Sequence, residues 1–341
     1  MKHISRVWIN LNSIAVRLFL GAVVAHAGSS GLVSKVCAAN RIVAWGDINY
    51  DVTSTIDPVV AQGPGVMQIS AGDFHSVALN GDGGVLAWGD NRFGQTSVPD
   101  LLNHSPAAEI AAGNIHTLAL TRDGTVVGWG PEPGQPGDYG QCAVPSGMGK
   151  VNAIAAGAVH SLALTSGGAV RAWGLNMSGQ CDVPPQLNGV VAIAGGMYHS
   201  LALKRDGTVI AWGDNQQGQT AVPEGLSNVV AIAAGGFHNV ALLSNGTVVS
   251  WGTYGLAQMS VPAGLSNVVA IATADYHTIA LQRDGRMVAW GFNTAGQCSV
   301  PAGLANVIAI AARGNHSMVL VQDDTALARR NRSSPSSPLA E

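Results

Sequence analysis

Beyond about residue 40 the chain is a succession of short apolar runs separated by glycine-marked breaks. One unit shows the pattern. Val190-Val191-Ala192-Ile193-Ala194 is a continuous apolar run, too short for a helix and rich in β-branched side chains, so it predicts a buried strand. After Gly195-Gly196-Met197-Tyr198 comes His199-Ser200-Leu201-Ala202-Leu203, with alternating apolar residues, which predicts a second strand. Asp206-Gly207 then leads to a third, Thr208-Val209-Ile210-Ala211-Trp212-Gly213. The links Asp123-Gly124, Asp206-Gly207, Asn245-Gly246 and Asp284-Gly285 predict tight hairpins with positive φ at both central residues.

The same unit returns with a period near 39 residues. Its histidines are His75, His116, His160, His199, His238, His277 and His316. Its Trp-Gly pairs begin at Trp45, Trp88, Trp129, Trp173, Trp212, Trp251 and Trp290. Tandem three-stranded units are the pattern of propeller blades. The phase of the repeat argues for a closed ring. Trp45 has no histidine strand before it, and the His316 strand has no Trp-Gly after it. If Arg41–Gly46 pairs with the run 307–321, the two halves complete a seventh blade and remove both sheet edges. The expected fold is therefore an all-β, seven-bladed propeller over residues 41–322, with about three main strands and a descending connector per blade. Residues 28–40 are expected to be a linker, and 323–341 a disordered tail.

Composition narrows the function classes. The chain has 341 residues, 44 of them glycine, only 11% charged residues and a formal net charge of −3. High hydrophobicity with low charge excludes general disorder, and the charge balance gives no footprint for nucleic acid. Lys2, Arg6 and Arg17 precede the apolar run Leu18–Ala25, and Ala25-His26-Ala27 fits a small-residue cleavage site. Residues 1–27 thus read as a secretory signal, which predicts a secreted protein, extracellular or periplasmic. That apolar run is too short to span a bilayer, so no membrane anchor is expected.

The frame A-I-A-A-G-x-x-H-S-L-A-L-x-x-D-G-x-V-x-A-W-G-x-N-x-x-G-Q resembles the regulator of chromosome condensation (RCC1-type) repeat. The resemblance covers about residues 41–322 and every unit. The short period, the G-Q-x-x-V-P tail of each unit and the leader look closer to a secreted branch typified by beta-lactamase inhibitory protein II. That resemblance implies a non-enzymatic propeller whose loop aromatics and acids grip a target enzyme. It makes a protein partner the leading expectation, with a beta-lactamase or another cell-wall enzyme as its specific form. Glycan or cell-surface binding is one alternative. Guanine-nucleotide exchange, the activity of the nuclear founder of the family, is the other.

Strand direction locates the binding face. If the first strand of a unit runs upward, the Gly-x-x-His turn and the segment after Trp-Gly lie together at the top. The first loop set holds Phe74, Tyr198, Phe237 and Tyr276 directly before the repeat histidines. The second holds Tyr50, Asp90, Arg92, Phe93, Asp214, Tyr254 and Phe292. A proline-rich insertion, Pro131–Tyr139, lengthens one top loop by five residues and carries Tyr139. Aromatic anchors among Asp and Arg are the chemistry of protein hot spots, so these twelve residues are the candidate partner-binding set. The competing expectation is that the aromatics fold inward and plug the channel. The periodic histidines are expected to bond backbone near their turns, because equivalent positions on a ring do not converge on one metal ion. The tryptophans are expected to pack between blades. Cys142, Cys181 and Cys298, on the descending connector, are expected to be free thiols. No catalytic motif, metal site or cofactor site is expected, and the protein is expected to be a monomer.

Overall fold

The computed structural model of this chain describes residues 40–47, 52, 65–252 and 259–322. The expected leader, almost all of the linker, the tail, Tyr50 and Tyr254 lie outside the described residues. Among the described residues, 21 strands form seven antiparallel sheets of three strands each, one per repeat. Six sheets follow chain order, as in the inner strand Val190–Gly195, middle strand His199–Lys204 and outer strand Val209–Gly213. The seventh is composite. Asn40–Gly46 pairs with His316–Gln322 in unbroken register, from Asn40↔Gln322 to Gly46↔His316, and Val307–Arg313 completes the sheet. The ring is therefore closed by its two ends, with the first strand starting one residue earlier than the sequence suggests.

The apolar runs build the core. Ile69, Ile110, Ile154, Ile193, Ile232, Ile271 and Ile310 occupy one position of the inner strand, each with 0% exposure. Burying a side chain of this size stabilises the fold by about 1.5–3 kcal/mol, and the repeat multiplies that seven times around the axis. The inner strands are not buried along their full length. Each carries a register shift near its start, such as that between Val190 and Ala192, and this turns Val191 and Val230 outward.

The hairpins differ from the sequence expectation. Positive φ occurs at Gly207 (81°), but not at Asp206. Gly207 N–H donates to Lys204 O at 2.9 Å, and Lys204 N–H donates to Thr208 O at 2.9 Å. This is a three-residue loop closed by a glycine bulge rather than a two-residue turn with two positive φ values. The aspartate earns its place through its side chain instead: Asp206 Oδ1 accepts from Thr208 N–H at 3.0 Å. The segment after Pro99 forms a four-residue helical turn, Leu101–His104, which buries Leu102. No helix among the described residues is long and apolar enough to cross a membrane.

Candidate protein-binding face

The two variable loop sets lie at one end of the sheets, tied together by backbone. Asp90 N–H donates to Phe74 O at 2.8 Å, Asp214 N–H to Tyr198 O at 2.9 Å, and Phe292 N–H to Tyr276 O at 2.9 Å. With Asp47 N–H to Asn315 O and Leu175 N–H to Val159 O, five blades anchor the residue after Trp-Gly to the residue before the histidine; Pro131, with no N–H, cannot. Neighbouring blades are linked at the same level, since Asn114 N–H donates to Ala158 O and Ala158 N–H to Gly196 O, both at 3.0 Å.

Beneath this face runs a closed ring of buried side-chain hydrogen bonds. Each histidine reaches the next blade rather than its own turn, which corrects the expected backbone partner. His75 Nε2 pairs with Thr117, His116 with Ser161, His160 with Ser200, His199 with Asn239, His238 with Thr278, His277 with Ser317, and His316 with Ser76. Asn239 fixes the tautomer. Its Nδ2 donates to Gln219 O at 2.7 Å, so its Oδ1 accepts from His199 Nε2–H at 2.7 Å. The hydroxyls behave alike: Ser161, Ser200 and Ser317 donate to the carbonyls of Gln141, Gln180 and Gln297. The same carbonyls accept the indole N–H of Trp173, Trp212 and Trp45. The glutamine of the repeat Gly-Gln pair, as Gln95, Gln141, Gln180, Gln219 or Gln297, is thus the hub between blades. Its side chain also folds back, with Gln180 Oε1 accepting Ser178 N–H at 2.9 Å.

All seven ring nitrogens Nδ1 are buried without a hydrogen-bond partner. A second proton there would carry an unsolvated charge. Burial accordingly pushes His75, His160, His238 and His277 down to about 3 and His199 and His316 to about 4, with His116 also well below its ordinary value. The repeat histidines are structural and neutral. Among the described residues no cluster of His, Cys, Asp or Glu could hold a metal ion. Cys142, Cys181 and Cys298 are unpaired. Burial raises their thiols to about 12, 11 and 11, with Asp138 adding to Cys142 and Asp182 to Cys181.

The axis is filled by a feature that the repeat pattern conceals. The inner-strand ends enclose a channel of only about 40 Å³, lined by alanines together with Thr273 and Arg313. Arg313 stands where the other blades carry Gly or Ala. Its Nε donates to Asp73 Oδ1 at 2.9 Å, and its Nη1 reaches Ala156 O across the axis at 3.4 Å. Asp275 lies beside this pair, and burial, reinforced by the charge of Asp73, raises its carboxyl well above the usual range. The plug of the channel is thus an arginine, and none of the described aromatics lines it.

The described candidate residues divide into two groups. Phe74, Tyr198, Phe237 and Tyr276 are half-buried, with their backbone inside the loop network. Phe292 is 43% exposed and meets Tyr276 edge to face, with ring centroids 5.8 Å apart. Tyr139 is 49% exposed. Asp90 is not a free contact group: it is 6% exposed, and both carboxylate oxygens accept from Arg92 Nε at 3.0 and 3.1 Å. Burial pushes its carboxyl up, but the Arg92 bonds outweigh burial and hold it low. Asp214 accepts from Gln216 N–H and Gln219 Nε2, and this braces its own loop. Sequence reasoning missed Met177, which is 89% exposed in the loop after Trp173-Gly174. The signal was available, because a methionine replaces the polar residue of that slot.

The inserted loop is a rigid wall. Asp138 Oδ2 accepts Gly134 N–H and Oδ1 accepts Gly140 N–H, each at 2.9 Å, and these bonds hold its carboxyl below the usual range. The loop closes over Ile115, which is buried and so fills the slot that aromatics occupy in other blades. Between this loop and the segment Arg92–Ser97 runs a groove of about 780 Å³, whose walls include Phe93, Trp129, Pro131, Glu132 and Pro136.

A seven-bladed ring of three-stranded sheets has relatives of known structure. Prp20p of Saccharomyces cerevisiae, described with its binding to Gsp1p and histones, superposes with a TM-score of 0.71 at 20% identity, over 87% of this chain and 95% of that one. Yeast RCC1 (Prp20) in its complex with Kap60 superposes with a TM-score of 0.68 at 20% identity, over 92% of this chain and 99% of that one. Human WBSCR16 gives 0.67 at 19% identity, over 84% and 99%. At these identities the likeness is one of fold. No curated protein sequence matches the chain. The family model described as RCC1-like domain matches residues 35–301, most of the chain and nearly the whole ring. By that match and by the closed seven-bladed ring, this chain belongs to the RCC1-like domain family.

Proposed function

We propose that this protein is a secreted, non-catalytic binding module that recognises a protein partner through its loop face. One observation carries the reading: Tyr139, Met177 and Phe292, half of the exposed large hydrophobic side chains among the described residues, stand on that face. Large apolar and aromatic groups held on a rigid backbone lose little entropy on binding and are the usual anchors of interfaces. The protein-binding relatives of the same fold, with Gsp1p, histones and Kap60 as their partners, support a protein as the ligand class. Inhibition of a secreted enzyme such as a beta-lactamase is the specific form of this proposal. The test is capture of partners from the native extracellular fraction by the wild-type protein and by a Tyr139→Ala/Met177→Ala/Phe292→Ala variant. Each truncation removes an exposed side chain, so the fold is retained. Loss of the captured partner supports the proposal, and equal recovery refutes it. The inhibitory form is refuted if the protein leaves a beta-lactamase panel fully active at micromolar concentration.

A further inference from the structure

The loop face has a marked charge imbalance. Its described loops hold Asp47, Asp73, Asp90, Glu132, Asp138, Asp214 and Asp275, against Arg92 and Arg313 alone. Both arginines are committed within the face: Arg92 to Asp90 at 3.0 Å and Arg313 to Asp73 at 2.9 Å. The described lysines and the remaining described arginines lie on the strands or at the hairpin end. With the Arg92–Asp90 and Arg313–Asp73 pairs cancelling and the raised carboxyl of Asp275 left out, Asp47, Glu132, Asp138 and Asp214 still make the face net negative, although the exposed side chain of Arg92 also lines the groove.

That charge meets an apolar cleft at one place. The groove between Arg92–Ser97 and the inserted loop has the size of a ligand site, about 780 Å³. Phe93 and the prolines Pro131, Pro133 and Pro136 supply apolar walls. Glu132 is exposed on one wall, and Asp138 stands near it, with its carboxylate kept ionised by backbone N–H groups. Neither wall deforms easily. Asp138 braces the loop, while Phe93 N–H donates to Gln95 Oε1 at 2.9 Å and Thr96 N–H to Asn91 Oδ1 at 3.0 Å on the other side. No other described blade has the insertion, so the groove is a single site rather than a repeated one.

We propose that this groove seats an extended segment of the partner protein bearing an arginine or lysine, whose aliphatic stem lies on Phe93 and the prolines and whose cationic head faces Glu132. A long cationic side chain suits such a cleft because it buries its methylenes while its charge stays near solvent and carboxylate. An acidic segment would place like charges together. The inference rests on the protein-binding reading of the loop face and adds the chemistry of the partner.

The test uses the full chain and three fluorescein-labelled dodecapeptides with one Gly-Leu-X frame, in which X is Arg, Gln or Glu, followed by anisotropy at low salt. The protein variants are E132Q, E132K, a deletion of residues 132–136, and D206K at the hairpin end as a control. The Arg peptide is expected to bind about tenfold more tightly than the Gln peptide, with the Glu peptide weakest. E132Q should weaken the Arg peptide several-fold and E132K more, with D206K unchanged. Equal binding of the Arg and Gln peptides, preference for the Glu peptide, or indifference to E132K overturns the proposal, whatever the deletion does to folding. Failure of the broader reading looks different, because it appears as undiminished partner capture by the Tyr139/Met177/Phe292 variant.

Discussion

Acidification should unfold this protein abruptly, because the histidine ring admits protons only when it breaks. The sign follows from the direction of the shifts. Burial pushes six of the histidines down to about 3 or 4 and His116 well below its ordinary value, against 6.5 in the unfolded chain. The unfolded state therefore binds more protons, and stability present above pH 7 is lost as pH falls through 6.5. Each such group lowers stability by about 1.4 kcal/mol per pH unit once the unfolded histidine is protonated. Asp275 acts in the opposite sense, because its folded carboxyl is raised, and it subtracts about one proton. Roughly six protons remain, so the loss is about 4 kcal/mol by pH 6 and about 11 kcal/mol by pH 5. These figures depend on the folded values being low, and hardly on how low. With a neutral-pH stability in the usual range of about 5–15 kcal/mol, the midpoint falls between roughly pH 4.5 and 6. Urea titrations monitored by tryptophan fluorescence at pH 7.5, 6.5 and 6.0 would give the slope, and equilibrium near-UV circular dichroism from pH 7 to pH 3 the midpoint. His238→Gln keeps a side-chain donor toward Thr278 and should reduce proton uptake by about one. A protein that keeps its native signal at pH 4, or a slope of only one or two protons, would refute the reasoning.

Other consequences can be tested by chemical denaturation and thermal melting. Arg313→Met leaves Asp73 and Asp275 buried without their cation and should cost about 3–5 kcal/mol; an unchanged urea midpoint would show that the axial pair is idle. Ser200→Ala strands His160 Nε2–H and removes a donor from Gln180 O, a loss of about 1–3 kcal/mol. Asn239→Ser restores the commoner partner and should fall within about 1 kcal/mol of wild type. Gly128→Ala puts a Cβ at 2.8 Å from Cys142 O and should lower the melting temperature through overpacking of about 1–3 kcal/mol. Cys142, Cys181 and Cys298 should react sluggishly with a thiol reagent at pH 8 and rapidly in denaturant, since burial disfavours their thiolates; fast native reaction would contradict their placement.

What could be read in the sequence and what could not follows from the range of each interaction. The three strands, the blade count and the closure of the ring were legible because they rest on periodicity and phase. Trp45 without a preceding histidine and His316 without a following Trp-Gly left one pairing, which Gly46↔His316 realises. The hairpins were misread because an Asp-Gly pair signals a turn without fixing its length, and Asp206 prefers to accept Thr208 N–H from ordinary φ. The histidine partners were missed because the pairing runs between repeats: the Ser, Thr or Asn after each histidine serves the histidine of the previous blade. On the face, aromatic loops were easy to find, but solvent exposure was not. Asp90 and Ile115 sit in variable slots yet are buried by Arg92 and the inserted loop, whereas Met177 protrudes from a slot that looked polar. Arg313 escaped notice because one long side chain on the axis breaks the symmetry on which the reading relied.

The shared blade also bears on how the chain is made. In an open array each repeat can fold against its predecessor, and a shortened chain merely loses its last units. Here Asn40–Gly46 finds its partner only in His316–Gln322, and the bond from His316 to Ser76 joins the last blade to the first. During synthesis the first strand leaves the ribosome with nothing to pair with until almost the whole array has followed, many seconds later at typical elongation rates. A premature stop anywhere in the ring would leave two open sheet edges and a broken hydrogen-bond circuit, so truncated products should be cleared or aggregate rather than retain part of the activity.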